Sequence, residues 1–310
     1  MQYKRLGRTG LKVSEVCLGC MTFGEQADKE ESQLIVDRAW EAGVNFFDTA
    51  DAYTETRSET ILGDILKGKR QSAVVATKVF GRVGPDQNDQ GLSRKHVMDA
   101  VDNSLRRLQT DYIDLYQVHR WDPETPIEET VRALDDLVRV GKVRYVGCSN
   151  FAAWQLCKAL WISDVQGLAR FDSIQPRYNM LSRDIETEML PLCESEGVGV
   201  IVYNPLAGGL LTGKHVQGQE PAANTRFGLR RMYMDRYWSD SNFEAVKRFR
   251  SIAEQGDKSM VHLAIGWTLA NPTVTSAIVG ISALDQLAEN LKAAEQPLTA
   301  EELETCSALS

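Results

Sequence analysis

The chain alternates short apolar runs with longer stretches in which apolar residues recur at helical spacing. Short apolar runs are typical of strands, and several of the amphipathic stretches end at a glycine, which commonly terminates a helix. Eight strands are predicted, at Val16–Gly19, Val44–Asp48, Ala73–Lys78, Ile113–His119, Val143–Ser149, Ser173–Gln175, Val198–Tyr203 and Thr275–Gly280. Helices are predicted between them at Glu31–Glu41, His96–Leu108, Ile127–Val140, Phe151–Trp161 and Glu186–Glu196.

This alternation predicts parallel strands that are joined by crossover helices. Eight such units favour an α/β fold, a closed (β/α)8 TIM barrel that occupies the whole chain, 1–310, as a single domain. An open doubly wound sheet with a second domain is the alternative. The dinucleotide fingerprint G-x-G-x-x-G is absent after the first strand, which counts against a Rossmann domain.

Three segments lie outside the repeating units. Tyr3–Val13 contains a glycine-rich turn and predicts a hairpin that caps the bottom of the barrel. Thr299–Leu309 predicts a final helix. The polar and aromatic segment from His215 to Asn242 predicts a long loop after the seventh strand of the barrel.

Charge and hydropathy narrow the classes of partner. The 310 residues include 35 basic and 43 acidic side chains, and the net charge is −8. Nucleic acid is an unfavourable partner, because a phosphate backbone requires a concentrated basic face. No uninterrupted apolar run reaches ~18 residues, so no membrane span is expected. The N-terminus leads into no apolar signal core, which predicts a cytoplasmic protein.

Two cysteines, Cys17 and Cys20, form a C-x-x-C pair within the first predicted strand. A redox-active pair opens a helix, whereas residues three apart on a strand point to opposite faces. We therefore expect reduced, structural cysteines. The histidines His96, His215 and His262 are isolated and show no metal-ligand spacing, so no metal site is predicted.

Chemically active side chains stand at three consecutive strand ends. The second strand ends at Asp48 and is followed by Tyr53, the third ends at Lys78, and the fourth ends at His119. Each residue alone has an ordinary explanation, as a turn cap, a solvated charge or a core histidine. Together, at the end of a barrel where active sites lie, they indicate a catalytic site. Asp51, which lies between two of them in sequence, is expected to face solvent.

Seven motifs resemble those of the aldo-keto reductase superfamily, and they extend along nearly the whole chain. They are LGCMTFG at Leu18–Gly24, FFDTADAY at Phe46–Tyr53, ATK at Ala76–Lys78, LYQVHRWD at Leu115–Asp122, GCSNF at Gly147–Phe151, YNPLAGGLLTGK at Tyr203–Lys214 and QLAEN at Gln286–Asn290. The resemblance implies NADP(H)-dependent reduction of an aldehyde or ketone. It also implies that Asp48, Tyr53, Lys78 and His119 form the catalytic tetrad.

These residue types suit that reaction. Reduction of a carbonyl requires a proton at oxygen, and Tyr53 is interpreted as the general acid. The ammonium of Lys78 is expected to lower the pKa of Tyr53, and Asp48 to keep Lys78 charged and oriented. His119 is expected to provide a hydrogen bond to the carbonyl oxygen.

The resemblance also implies a nicotinamide site. Ser149, Asn150 and Gln175 resemble the residues that bind the carboxamide, and Tyr203 resembles the stacking aromatic residue. The stretch before His215 is nearly a P-loop, but a histidine stands where magnesium binding needs Ser or Thr, so nucleotide hydrolysis is excluded. The remaining candidate cofactor residues are Asn204, Pro205, Leu206, Gly208, Leu210, Lys214, Arg226, Gly280, Ser282, Gln286, Glu289 and Asn290.

Two departures from the family pattern affect this interpretation. Gly280–Ala283 has no basic residue for the 2′-phosphate of NADP, and Arg226 is predicted to supply that charge instead. NADP is therefore predicted, with NAD as the alternative. Thr54 stands where the family commonly has glycine after the tyrosine, so the geometry of that loop is open.

Two further classes of function stay open. One is a cofactor-binding regulatory subunit with little turnover, like the potassium-channel β subunits that resemble this superfamily. The other is a reductase for a sugar, possibly nucleotide-linked. Met21, Phe23 and Trp121 are predicted to line an apolar pocket for a small-molecule carbonyl substrate, with core packing as the alternative for Met21. The sequence carries no signature of oligomeric state.

Overall fold

A computed structural model, which describes residues 1–309, has eight parallel strands that close into a barrel. The order of strands follows the chain, and the last strand pairs with the first. The predicted TIM barrel is confirmed, and the open-sheet alternative is wrong. The strands are β1 (Tyr3–Arg5), β2 (Lys12–Ser14), β3 (Val16–Gly19), β4 (Phe46–Asp48), β5 (Val74–Val79), β6 (Ile113–Val118), β7 (Val143–Ser149), β8 (Ser173–Gln175), β9 (Gly199–Tyr203) and β10 (Val274–Gly280).

Helices surround the barrel. Those in the described residues are α1 (Lys29–Glu41), α2 (Arg57–Ile65), α3 (Arg94–Leu108), α4 (Ile127–Arg139), α5 (Ala153–Gln166), α6 (Met189–Glu196), α7 (Arg226–Leu229), α8 (Arg231–Tyr237), α9 (Asp240–Gln255), α10 (Met260–Ala270), α11 (Leu284–Glu295) and α12 (Ala300–Ser307). The predicted helices correspond to α1, α3, α4, α5, α6 and α12. Within residues 1–309, no helix has both the length and the apolar character that crossing a membrane requires.

The N-terminal hairpin closes the bottom of the barrel, as predicted. Strands β1 and β2 pair antiparallel, and Leu6 and Val13 pack against the residues that fill the barrel interior. Cys17 belongs to this interior cluster, whereas Cys20 belongs to the larger cluster between the barrel and the helices. The two thiols therefore lie on opposite faces of the strand, as the sequence predicts, and burial raises the pKa of both.

The segment that follows β9 is more ordered than the predicted long loop. It contains the short helices α7 and α8 and ends within the first turn of α9. An aromatic cluster fixes its position, because Phe227 packs against both His215 and Trp238 with ring centroids 4.9 Å apart in each pair. The segment thus forms a wall at the carboxyl end of the barrel.

Gly63 lets α2 and α3 approach closely. A Cβ at this position would lie 2.5 Å from the carbonyl oxygen of Arg107 and 2.7 Å from the Cα of Leu108. Both atoms belong to the backbone of α3. Backbone atoms cannot move away from an added Cβ as the end of a flexible side chain can. We expect Gly63→Ala to lower the free energy of unfolding by about 1–3 kcal/mol, because overpacking outweighs the better helix propensity of alanine.

Urea denaturation measures this effect. Gly10→Ala is the matched control, since a Cβ there would meet nothing within 4 Å. If Gly63→Ala unfolds at the same or a higher urea concentration than the wild type, the close packing of α2 on α3 is incorrect.

Candidate active site

The four residues of the predicted tetrad converge at the carboxyl ends of β4, β5 and β6. Lys78 is fully buried, and its Nζ lies 2.5 Å from Oδ1 of Asp48. The same ammonium donates to the carbonyl oxygen of Thr49 at 2.8 Å and to the hydroxyl of Tyr53 at 3.3 Å. Lys78 therefore joins the carboxylate to the phenol.

Two glutamines complete the environment of Asp48. Its Oδ2 accepts a hydrogen bond from Nε2 of Gln175 at 2.8 Å and one from Nε2 of Gln117 at 3.3 Å. Both glutamines are buried. Gln117 is not among the residues predicted from the sequence, although an amide within the apolar run Ile113–His119 is a usable signal of a polar role.

Burial and charge set the protonation states of Lys78 and Tyr53. Burial is the largest single effect on Lys78 and lowers its pKa, but the charge of Asp48, the interaction with Tyr53 and the hydrogen bonds to both residues together outweigh it, so the pKa of Lys78 is raised above its ordinary value. Burial likewise raises the pKa of Tyr53 to about 12, although Lys78 opposes this. As expected, the charge of Lys78 acts to lower the pKa of Tyr53. The expectation that this pKa lies below its ordinary value is wrong, because the effect of burial is larger.

His119 is a neutral imidazole at physiological pH. Burial, and then the positive charges of Lys78 and Arg120, lower the pKa of His119 to about 3. Its ring meets the ring of Tyr53 at a steep angle, with centroids 5.7 Å apart. A neutral imidazole carries one N–H, so it can donate one hydrogen bond into the space beside the phenol.

A cavity of about 1150 Å³ opens above the tetrad, and Asp48, Tyr53 and His119 line it. The predicted cofactor residues that line it are Ser149, Asn150, Gln175, Tyr203, Asn204, Pro205, Leu206, Gly208, Lys214, Arg226, Gly280, Ser282, Gln286, Glu289 and Asn290. Leu210 is buried in the core instead. Of the predicted substrate residues, Met21 and Trp121 line the cavity. Phe23 does not, because its side chain is fully buried in the core.

A hydrogen-bonded chain connects the tetrad to the middle of the cavity. Nδ2 of Asn150 donates to the carbonyl oxygen of His119 at 3.0 Å and to Oγ of Ser149 at 2.9 Å. The hydroxyl of Tyr203 donates to Oδ1 of Asn150 at 2.7 Å, and Ser149 donates to the carbonyl oxygen of Gln175 at 2.7 Å. The chain fixes the orientation of side chains that strands β7, β8 and β9 present to the cavity.

Two cations without a counter-ion lie at the other end of the cavity. Neither Lys214 nor Arg226 forms an ion pair with any residue in the range 1–309. Burial, and then the charge of Arg226, lower the pKa of Lys214. Gly208 and Gly209 have φ values of 69° and 106° beside these cations. A polyphosphate fits this end, since it neutralises both cations and the glycines expose backbone to it.

The chain matches a known protein family along nearly its whole length. The model of the aldo/keto reductase family matches residues 15–310. The chain belongs to the aldo/keto reductase family. Membership supports an oxidoreductase that acts on carbonyl compounds, and the family generally binds nicotinamide cofactors.

Three similar proteins illustrate the range of named functions. A probable voltage-gated potassium channel subunit beta of Oryza sativa subsp. japonica is 40% identical over 301 residues, which cover 94% of this chain and 91% of the relative. An uncharacterized oxidoreductase of Bacillus subtilis is 37% identical, with 97% and 93% covered. Versiconal hemiacetal acetate reductase of Aspergillus parasiticus is 36% identical, with 98% and 95% covered.

In this aldo/keto reductase the loop after Tyr53 has a backbone that favours glycine. Thr54, Glu55 and Thr56 have φ values of 47°, 56° and 71°. The hydroxyl of Thr54 donates to the carbonyl oxygen of Phe23 at 2.8 Å, which holds this conformation. The threonine at the position where the family commonly has glycine therefore adopts the left-handed conformation that glycine favours.

The expectation that Asp51 faces solvent is wrong. Its side chain is fully buried, and neither carboxylate oxygen has a hydrogen-bond partner among the described residues. Its backbone N–H donates to the carbonyl oxygen of Lys78 at 3.1 Å, so the residue lies directly behind the tetrad. Burial, and then the negative charge of Glu59, raise the pKa of Asp51 to about 8.

We expect Asp51 to make the stability of the protein fall as pH rises. In the unfolded chain this carboxyl has a pKa of about 4. Between about pH 4 and 8 the carboxyl is therefore ionised in the unfolded state and still protonated in the folded state. The contribution of Asp51 to the free energy of unfolding is fully present below about pH 4 and is lost as the pH rises through about 8. Asp51→Asn keeps the shape and removes the charge, so we expect it to unfold with more difficulty than the wild type at pH 9, by on the order of 2–5 kcal/mol.

Denaturant unfolding of both proteins from pH 5 to pH 9 checks this. Asp99→Asn, at a carboxylate that is 60% exposed, is the control and should follow the wild-type curve. Parallel curves for Asp51→Asn and the wild type mean that Asp51 is ionised at neutral pH.

Proposed function

We propose that this protein reduces an aldehyde or ketone to an alcohol with NADPH, and that Tyr53 is the general acid. The observation that carries this proposal is the contact of the Tyr53 hydroxyl with the buried Lys78–Asp48 ion pair at the base of a large cavity. The neutral ring of His119 stands at the same place, next to the phenol.

Proton transfer follows from this contact. As the carbonyl oxygen gains negative charge, Tyr53 gives it the phenolic proton and becomes a tyrosinate. The ammonium of Lys78 stabilises the tyrosinate more than the phenol, and Asp48 keeps that ammonium in place. An alkoxide is a much stronger base than a tyrosinate, so a pKa of about 12 for Tyr53 still permits the transfer.

His119 orients and polarises the substrate. Because its pKa is lowered to about 3, the ring donates a hydrogen bond to the carbonyl oxygen as a neutral group. A protonated His119 would be repelled by the ammonium of Lys78, and the neutral ring avoids this repulsion. The two donors, from Tyr53 and His119, fix the position of the oxygen and therefore the face of the carbonyl carbon that is exposed to the cofactor.

The residues along the cavity suit a nicotinamide dinucleotide, which when bound supplies the hydride to the carbonyl carbon. Gln175 already donates to Asp48, so its Oε1 is the atom that can accept from a carboxamide, together with the polar groups of Ser149 and Asn150. Tyr203 offers a ring for stacking. Lys214 and the backbone near Gly208 suit the pyrophosphate, and Arg226 suits the 2′-phosphate. Gly280, Ser282, Gln286, Glu289 and Asn290 are left for the adenosine.

We expect Tyr53→Phe to lower kcat by about 10²- to 10⁴-fold, because it removes the proton donor and leaves the ring. NADPH binding should be unchanged. The measurement is the loss of NADPH absorbance with an activated aromatic aldehyde, together with the dissociation constant of NADPH by fluorescence. A variant that keeps wild-type kcat rules out Tyr53 as the acid, and a variant that loses NADPH binding invalidates the comparison of rates.

We expect Arg226→Met to weaken NADPH binding by about 10- to 100-fold and to leave NADH binding nearly unchanged, because the two cofactors share the pyrophosphate and only NADPH carries the 2′-phosphate that we assign to this guanidinium. Arg231→Met is the matched control, since Arg231 lies on the same segment but its side chain is 88% exposed and pairs with Asp235. Equal affinity of the wild type for NADH and NADPH contradicts the NADP assignment.

A second function, as a cofactor-binding regulatory subunit, is favoured by one observation. The chain is 40% identical to relatives that are named as probable potassium channel subunits beta. Tight retention of cofactor with negligible turnover across aldehydes and ketones distinguishes this role. A reductase of a sugar, possibly nucleotide-linked, shares the proposed mechanism, and Tyr233 and Arg236, which line the cavity, would contact that substrate.

A further inference from the structure

Two tryptophans form a pair at the edge of the candidate active site. Trp121 lines the cavity, and its ring centroid lies 5.5 Å from that of Trp154 on α5, with the planes tilted by 58°. Trp154 itself is 61% exposed. The next residue of α5, Gln155, lines the cavity, so this end of α5 borders the cavity and Trp154 packs on the outer side of Trp121. The pair thus leads from the interior of the cavity to solvent.

The inner ring of this pair, that of Trp121, is supported by two buried phenylalanines. The edge of Trp121 packs on Phe151, with ring centroids 5.3 Å apart, and Phe151 packs in turn on Phe171 at 5.9 Å. Phe151 and Phe171 are both buried. A ligand that contacts Trp121 therefore meets a surface that is already ordered, which reduces the entropy lost on binding.

The outer ring, that of Trp154, exposes a large apolar surface to solvent. The indole N–H groups of Trp121 and Trp154 make no hydrogen bond with any residue in the range 1–309. A large exposed aromatic surface is unfavourable in water and is typical of binding sites. Trp161, two turns along the same helix, is similarly exposed at 64%, but no aromatic ring of the described chain packs on it.

The pair is close enough to the reacting carbonyl to contact a substrate. Trp121 follows His119 by two residues, so their Cα atoms are at most about 7 Å apart. Because His119 and Trp121 line the same cavity, an aromatic ring attached to a carbonyl beside Tyr53 and His119 has room to contact Trp121, and a second ring has room to extend towards Trp154. Aromatic rings gain from edge and offset contacts beyond the burial of area.

We propose that Trp121 and Trp154 form an aryl subsite, and that the substrates are flat carbonyl compounds with two or more aromatic rings. This proposal rests on the proposed reductase function. Trp154 is then a specificity-determining residue that acts on binding and leaves the chemical step unchanged. Small aliphatic carbonyl compounds do not extend to it.

The test compares wild type, Trp154→Ala and the matched control Trp161→Ala with NADPH and two substrates, 2-naphthaldehyde and butanal. We expect Trp154→Ala to raise KM for 2-naphthaldehyde by about five- to tenfold with kcat nearly unchanged, and to leave butanal unaffected. Trp161→Ala should match the wild type. Binding of the product alcohol, 2-naphthalenemethanol, to each protein with NADP+ is measured by calorimetry and should show the same loss only in Trp154→Ala.

Several outcomes overturn the proposal. Equal changes with both substrates mean that Trp154 is structural, and equal losses in the Trp154 and Trp161 variants mean that the exposed face of α5 has another role, such as contact with a protein. The binding measurement separates failure of the subsite from failure of the reductase function. If the wild type turns over neither aldehyde but binds the alcohol through Trp154, the subsite stands and the activity does not.

Discussion

The buried ion pair between Lys78 and Asp48 is the constraint on which the site depends. An ammonium with no exposed surface loses its hydration, and the loss is offset only when charge and hydrogen bonds replace the water. Here the replacement comes from the ends of three strands, β4, β6 and β8, because Gln117 and Gln175 donate to the carboxylate while Thr49 and Tyr53, which follow β4, accept from the ammonium. The barrel closure that aligns these strand ends is therefore also what makes a charged lysine tolerable in its interior.

The pair also determines how charge is distributed along the cavity. At the tetrad the positive charge of Lys78 is balanced by Asp48, and His119 is neutral. At the far end Lys214 and Arg226 have no such balance within the described residues, although the chain as a whole has a net charge of −8. The cavity therefore has a balanced region at the tetrad and a positively charged region at Lys214 and Arg226, which suits the proposed combination of an uncharged carbonyl and a phosphorylated cofactor.

The barrel and the proximity of Asp48, Tyr53, Lys78 and His119 could be predicted from the sequence, because both depend on where strands end and short apolar runs mark strand ends well. The prediction failed where packing outside the strands determines which side chains are buried. Asp51 and Phe23 lie beyond strand ends in loops, where alternation no longer tells which side is buried, and both are fully buried. Helix α10 was missed because it is apolar on nearly all faces and shows no amphipathic period, and α2 because it begins without a capping side chain.

Closure of the barrel joins the two ends of the chain. Strand β3 near the N-terminus pairs with β10, and the side chain of Lys4 donates to the carbonyl oxygen of Val274. Contacts this distant in sequence are slow to form, because a long loop must be closed before they give any stabilisation. During synthesis β3 keeps one unpaired edge until β10 has been made and has left the ribosome. The hairpin β1–β2 depends on the same event, because two strands of three residues are marginally stable until Leu6 and Val13 pack on the closed interior.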